Sequence, residues 1–187
     1  MNLPTKITFT RIVGSPLFII FFYLGWEVHK GFLWVALALV VAFEITDLID
    51  GLLARRWGQV TDLGKVLDPF ADCISRFSVF LCFMFGGYAH IFMVALIFYR
   101  DIIVANIRIA AAMKGTVIQA RTSGKVKAVA QAVVILTVMT GINVFGKGAG
   151  NFREFSLWAM GILTAVTVWS GVDYVLGYLK IVRPAKD

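Results

Sequence analysis

Residues 32–72 read FLWVALALVVAFEITDLIDGLLARRWGQVTDLGKVLDPFAD. Phe32 to Phe43 is an unbroken apolar run, and then acids enter it: Glu44, Asp47 and Asp50, before Arg55 and Arg56 close it. Gly58 to Gly64 is a polar connection, and a second apolar stretch from Lys65 to Phe85 carries Asp68, Asp72 and Arg76. A carboxylate inside a membrane span is costly and marks function by default. Asp47 and Asp50 stand at i, i+3 and Asp68 and Asp72 at i, i+4, so each pair shares one helix face. The two helices form a hairpin centred near Gln59, with Asp50 nine residues before that point and Asp68 nine after it. Asp47 lies twelve before and Asp72 thirteen after. Equal offsets in an antiparallel pair mean equal depth, so the four carboxylates are expected to meet at one level, near one membrane surface.

The rest of the chain agrees with a membrane reading. Of 187 residues, 59% are hydrophobic and 16% charged, and the mean hydropathy is +0.83. A soluble domain averages about half apolar and about a quarter charged, so a soluble enzyme is excluded, and disorder needs the opposite composition. The length allows roughly six spans of about 20 residues and no appended soluble domain. The expectation is an all-α integral membrane protein with six transmembrane helices and a single membrane-embedded domain over residues 1–187. The first span follows a lead-in from Met1 to Thr10 and runs from Ile12 to Trp26, interrupted and kinked by Pro16. It continues into further spans, so it is not a cleaved signal. The second starts at Phe32, the third covers Lys65–Phe85, and Gly86-Gly87 makes a turn. The fourth covers Ala89–Met113 with Arg100, Asp101 and Arg108, and Lys114–Lys127 is a basic connection. The fifth ends at Phe145, Gly146–Asn151 is a glycine-rich loop, and the sixth runs from Phe155 to Ile181.

Charge gives the orientation. Twelve Lys and Arg fall on the side of the termini and of the second-third and fourth-fifth connections, against Lys30, Lys147 and Arg153 on the other. That places both termini and the acid cluster on the cytoplasmic side of a multi-pass protein of the cell inner membrane. The net charge of +7 then reflects basic loops over anionic membrane lipids. No nucleic-acid partner is expected, because no basic cluster alternates with exposed aromatics. Cys73 and Cys82 would stand about 13 Å apart along one helix, too far to bridge.

Four converging carboxylates repel, and their pKa values rise unless a cation neutralises them. Oxygen-only donors on helices suit Mg²⁺ or Mn²⁺ better than zinc, and four acids can hold two ions, an arrangement that clamps phosphoryl groups. Gly51 and Ala54 let a ligand approach the backbone, and Arg55 offers a fork to phosphate oxygens. Two plainer readings compete. The acids could pair with Arg76, Arg100 and Arg108 as buried ion pairs, which accounts for one or two of them and not for four. They could also line the cation pathway of a transporter.

The stretch Asp47-Leu-Ile-Asp50-Gly51-Leu-Leu-Ala54-Arg55, followed by Gly64, Asp68 and Asp72 at fixed spacings, fits D-x2-D-G-x2-A-R-x8-G-x3-D-x3-D without a gap. This pattern, eight positions over 26 residues, resembles the signature of the CDP-alcohol phosphatidyltransferase family. The resemblance implies a six-helix membrane enzyme that moves a phosphate-bearing group from a CDP-linked donor to an acceptor hydroxyl and releases CMP. It implies that Asp47, Asp50, Asp68 and Asp72 bind a divalent cation, Mg²⁺ or Mn²⁺ in two ions, and that Asp72 is also the catalytic general base. It further implies a CDP pocket of Asp47, Gly51, Ala54, Arg55 and Gly64.

Weaker motifs resemble the branch of the family that converts CDP-diacylglycerol and glycerol 3-phosphate to phosphatidylglycerophosphate. They are Asn2–Thr8 with Arg11, Leu67–Asp72, Arg100-Asp101 with Arg108, Gly124–Lys127 with Gln131, and Ser170–Tyr174. On that resemblance Arg108, Arg121, Lys125 and Lys127 would hold the acceptor's phosphate, with Arg108 and Lys125 the stronger candidates. That branch usually carries Lys after the last aspartate, where this chain has Cys73. The Asp101 and Ala128 positions also depart from its pattern. Other acceptors, inositol phosphate, serine or choline, therefore stay open. Arg100, Asp101 and Asp173 read as structural pairs, each with a partner on another helix. Glu44 shares a face with Asp47 and stands behind it. The span glycines allow close packing or a homodimer.

Overall fold

A computed structural model describes residues 3–57, 62–113 and 121–182; within them, the side chains of residues 3–7, 48–57, 62–66, 68, 112–113 and 181–182 lie outside the description. The described residues form six helices: α1 Leu3–Glu27, α2 Gly31–Trp57, α3 Asp62–Phe85, α4 Ile91–Met113, α5 Thr122–Phe145 and α6 Gly150–Val182. Hydrophobic stretches placed these elements, but most of their starts moved outward; α4 is the exception, beginning at Ile91 instead of Ala89. The lead-in expected at Met1–Thr10 is helical from Leu3, with Pro4 in the first turn, where its missing N–H costs nothing. The basic connection expected to reach Lys127 stops at Arg121, so Lys125 and Lys127 lie in the first turns of α5. Likewise α3 begins three residues before Lys65, and α6 begins at Gly150 rather than Phe155. Hydropathy marks where lipid begins, whereas a helix continues until its backbone finds a cap. Gly146 supplies such an end for α5, at φ 76 with its N–H donated to the Ile142 carbonyl at 3.1 Å.

By length and apolar composition, Thr8–Glu27, Thr122–Phe145 and Gly150–Lys180 can each cross a membrane. The other three helices have 27, 24 and 23 residues, and 23 residues at 1.5 Å each reach about 35 Å, more than the ~30 Å of hydrocarbon. These three carry Asp47, Asp72, Arg76, Arg100, Asp101 and Arg108. Burial is inside out. Phe92, Trp158, Ile162 and Val129 are exposed, while Thr8, Ser15, Gln131, Thr167 and Ser170 are wholly or almost wholly buried. Such a surface is stable where lipid covers it.

The six helices alternate in direction. α1 packs on α2 and α3, α3 on α4, α4 on α6, α6 on α5, and α5 on α2. At the end holding the α1–α2, α3–α4 and α5–α6 turns, Phe18, Phe22, Leu33, Phe80, Phe83, Met139, Ile142 and Met160 form a dry core. Gly25 lets α1 and α2 close together there: a Cβ on it would stand 2.6 Å from the Leu33 nitrogen. The opposite end carries the charges.

Candidate active site

At that charged end, α2 and α3 bring Asp47 and Asp72 together. Arg11 of α1, 3% exposed, donates Nη1 to Asp47 Oδ1 at 2.6 Å. Arg76, one turn after Asp72, donates Nε to Asp72 Oδ1 at 2.8 Å. Its Nη2 stands 3.8 Å from Asp47 Oδ2, and its Nη1 donates to Gln131 Oε1 of α5 at 2.7 Å. A single guanidinium therefore spans both carboxylates.

Opposite them, α4 and α5 present cations. Lys127 donates to both oxygens of Asp101, at 2.7 and 2.8 Å. Arg100 pairs with Asp101 at 3.0 Å and donates to Ser170 Oγ of α6 at 2.7 Å. Arg108 donates Nε to the Tyr174 hydroxyl at 3.1 Å and lies 5.3 Å from the centre of its ring. Between the two walls is a cavity of about 240 Å³, whose lining includes Asp47, Asp72, Cys73, Asp101, Arg108 and Lys127.

The segment 170–177 of α6 is the rear support of the cationic wall. Ser170 and Tyr174 receive Arg100 and Arg108. Asp173 receives Arg121 Nη1 at 2.7 Å and Ser123 Oγ at 2.5 Å. Two glycines make room for these long side chains. A Cβ on Gly171 would stand 2.7 Å from Arg100 Cγ, and one on Gly177 would overlap the Arg121 guanidinium.

Of the residues singled out in the sequence, the structure brings Asp47, Asp72, Arg108 and Lys127 to one cavity. Arg121 is engaged with Asp173 on α6, and Lys125 is exposed and outside the lining. Asp50, Gly51, Ala54 and Arg55 lie in α2, and Gly64 and Asp68 in α3; their side chains lie outside the described residues. Arg100 and Asp101 do find partners on other helices, Ser170 and Lys127. They also pair with each other, which the divergence of adjacent helical positions argued against; arginine is long enough to fold back. Asp173 is paired as expected, and both cysteines are free thiols. Arg76, offered in the sequence as an ion-pair partner of the acids, does pair with Asp72 and Asp47, whereas the roles of Arg11 and Gln131 in holding them were missed. The available signal was a cation or amide set among apolar residues of a helix, but its partner's identity depends on packing.

Among the described residues, no three His, Cys, Asp or Glu side chains gather as a metal site. The donor set nevertheless fits a hard divalent cation. Asp47 and Asp72 contact one guanidinium, each with one oxygen fastened to an arginine within 2.8 Å. Carboxylate oxygens of this kind select Mg²⁺-like ions; the side chains of Asp50 and Asp68 lie outside the described residues.

The model of the CDP-alcohol phosphatidyltransferase family matches residues 1–169. A Bacillus subtilis protein named CDP-diacylglycerol–glycerol-3-phosphate 3-phosphatidyltransferase is 33% identical over 177 residues, 90% of this chain and 92% of that one. Proteins of the same name from Sodalis glossinidius and Salmonella typhimurium are each 30% identical, over 182 and 181 residues. These alignments cover 94% and 93% of this chain, and 93% of each relative. The chain belongs to the CDP-alcohol phosphatidyltransferase family. It is a membrane-embedded transferase, and members of its family generally depend on a divalent cation.

Proposed function

We propose that the protein transfers the phosphatidyl group of CDP-diacylglycerol to glycerol 3-phosphate, forming phosphatidylglycerophosphate and CMP. The observation that carries this reading is the single cavity on which two signature aspartates, Asp47 and Asp72, face two cations, Arg108 and Lys127. The names of the similar proteins support the same acceptor.

The acceptor's hydroxyl oxygen attacks the phosphorus next to the diacylglycerol, the pyrophosphate P–O bond breaks, and CMP leaves. Asp72 keeps Oδ1 on Arg76 and takes the hydroxyl proton on its other oxygen. Arg108 and Lys127 hold the acceptor's phosphate, with Tyr174 and Asp101 fixing their positions. Gly51, Ala54, Arg55 and Gly64 border the cytidine diphosphate. Asp47, Asp50, Asp68 and Asp72 would hold one or two divalent cations, Mg²⁺ or Mn²⁺, which neutralise charge on the pyrophosphate and the departing CMP. The chain forms one domain of six spans in the cell inner membrane, with termini and cavity on the cytoplasmic side, where positive charge is concentrated.

The test is CMP release from CDP-diacylglycerol by the purified protein, with glycerol 3-phosphate, inositol phosphate, serine and choline offered in turn. Release with glycerol 3-phosphate and not with serine, which has no phosphate, is expected. Equal use of serine would move the assignment to another acceptor. No release with any acceptor, together with cation flux in vesicles, would replace the enzyme by a transporter.

A further inference from the structure

We propose that Arg76, anchored by Gln131, is a positioning residue that sets the separation and orientation of Asp47 and Asp72 for cation binding; this rests on the metal-site reading above. Three contacts radiate from one guanidinium to three helices. It reaches Asp72 on its own α3 at 2.8 Å, Asp47 on α2 at 3.8 Å and Gln131 on α5 at 2.7 Å. Arg76 is 7% exposed and Gln131 0%. A planar fork hydrogen-bonded at Nε and Nη1 has one orientation, and it aims Nη2 at Asp47 in an ion-pair approach, so it passes the position of α5 to the two carboxylates.

Gln131 shows that this anchoring is specific. An arginine only donates, so the contact must use Gln131 Oε1, and the amide's Nε2 is then turned elsewhere. That Nε2 is buried with no partner among the described residues. Leaving a buried donor unpaired is unfavourable, and an apolar side chain of similar volume would avoid it. Packing alone therefore does not explain a glutamine at this position, whereas holding Arg76 does. Cys73, which follows Asp72 directly, carries no charge that could substitute for Arg76.

Two physical models of Arg76 predict opposite signs. If Arg76 only adds positive charge beside the acids, it competes with a bound cation, and removing it tightens binding. If it positions the acids, Arg76 fixes Asp72 through Oδ1 and orients Asp47 through the longer approach to Oδ2, which leaves Asp72 Oδ2 and the loosely approached Asp47 Oδ2 for the metal, and removing it loosens binding. Groups that orient metal-binding carboxylates typically contribute ten- to a hundredfold in affinity. Gln131→Met separates the two models, because it conserves volume and every charge and cuts only the tether.

The experiment is Mn²⁺ binding to the full chain in detergent, read by loss of the free-ion electron paramagnetic resonance signal. Wild type, Asp47→Ala, Gln131→Met, Arg76→Lys and the double variant Gln131→Met/Arg76→Lys are compared. The expected result is about tenfold weaker binding in Gln131→Met and ten- to a hundredfold weaker in Arg76→Lys. The double variant is expected to be no worse than Arg76→Lys alone, since both changes break one coupled unit. Unchanged or tighter binding in Gln131→Met, or fully additive losses, overturns the proposal while leaving the metal site standing. Absence in wild type of any Mn²⁺ binding that Asp47→Ala removes overturns the metal-site reading and this proposal together.

Discussion

The two walls of the cavity use the same construction with the charges exchanged. On the α2–α3 wall, carboxylates face the space and arginines stand behind them: Arg11 on Asp47 and Arg76 on Asp72. On the α4–α5 wall, Arg108 and Lys127 face the space; Tyr174 supports Arg108 from behind, while Asp101, the partner of Lys127, lines the cavity beside it. Burying a charge in a bundle surrounded by lipid requires a partner, and placing the partner at the rear leaves the front free for ligand. The difference lies in how many helices take part. The acids are held from α1, α3 and α5, while the cations rely on α4, through Asp101, and on α6, whose glycines admit the arginines. Support from three helices suits the acid wall to a fixed coordination geometry, whereas the long side chains of the cationic wall suit a phosphate that must come and go.

The sharpest way to break this comparison is at the acid wall. Asp47→Ala is expected to abolish CMP release, with no recovery on added Mn²⁺. Asp72→Asn should bind CDP-diacylglycerol yet lose roughly 10²- to 10⁴-fold in turnover. Near-normal turnover in either would remove the acid wall from the chemistry.

A stability effect comes next. Asp101→Ala removes the partner of Lys127, whose side chain is 6% exposed, and a stranded buried charge costs about 3–5 kcal/mol. Thermal unfolding in detergent should show a large fall in midpoint; an unchanged midpoint would mean that Asp101 does not hold Lys127.

At the cationic wall, Arg108→Ala should raise the KM for glycerol 3-phosphate about tenfold to a hundredfold, since a charge-assisted contact is worth roughly 1.5–3 kcal/mol. The donor KM should move far less. The smallest effect is expected at Lys125, which is exposed and off the cavity. Lys125→Ala should change the acceptor KM by no more than the equivalent of about 0.5 kcal/mol. A tenfold rise there would extend the cationic wall outward along α5.

Periodicity and spacing made much of this legible. The apolar runs located six helices, and spacing singled out Asp47 and Asp72, which reach one cavity; the hairpin expected of α2 and α3 is not seen as direct packing among the described contacts, where both helices pack on α1. Charge inside the spans pointed to Arg108 as more than a loop residue. What spacing could not give was partner choice across helices. Nothing local assigns Arg121 to Asp173 or Arg11 to Asp47, because those contacts depend on which helices become neighbours. The ranking of Lys125 above Lys127 failed to anticipate the cavity lining for a related reason. Both were read as part of a connection, where facing is undefined; once α5 begins at Thr122, two residues' separation turns them to different sides of a helix.

Cys73 gives the cavity a built-in chemical reporter. Its thiol lies in the lining beside Asp72, half-buried, while the other cysteine, Cys82, is 4% exposed in the dry core. A small maleimide should therefore modify one sulfur per chain without any engineered label. The rate of that modification measures how open the cavity is, independently of turnover. CDP-diacylglycerol or glycerol 3-phosphate seated against Asp72 should slow it, so footprinting of one natural thiol can rank ligands even in variants whose catalysis has been removed.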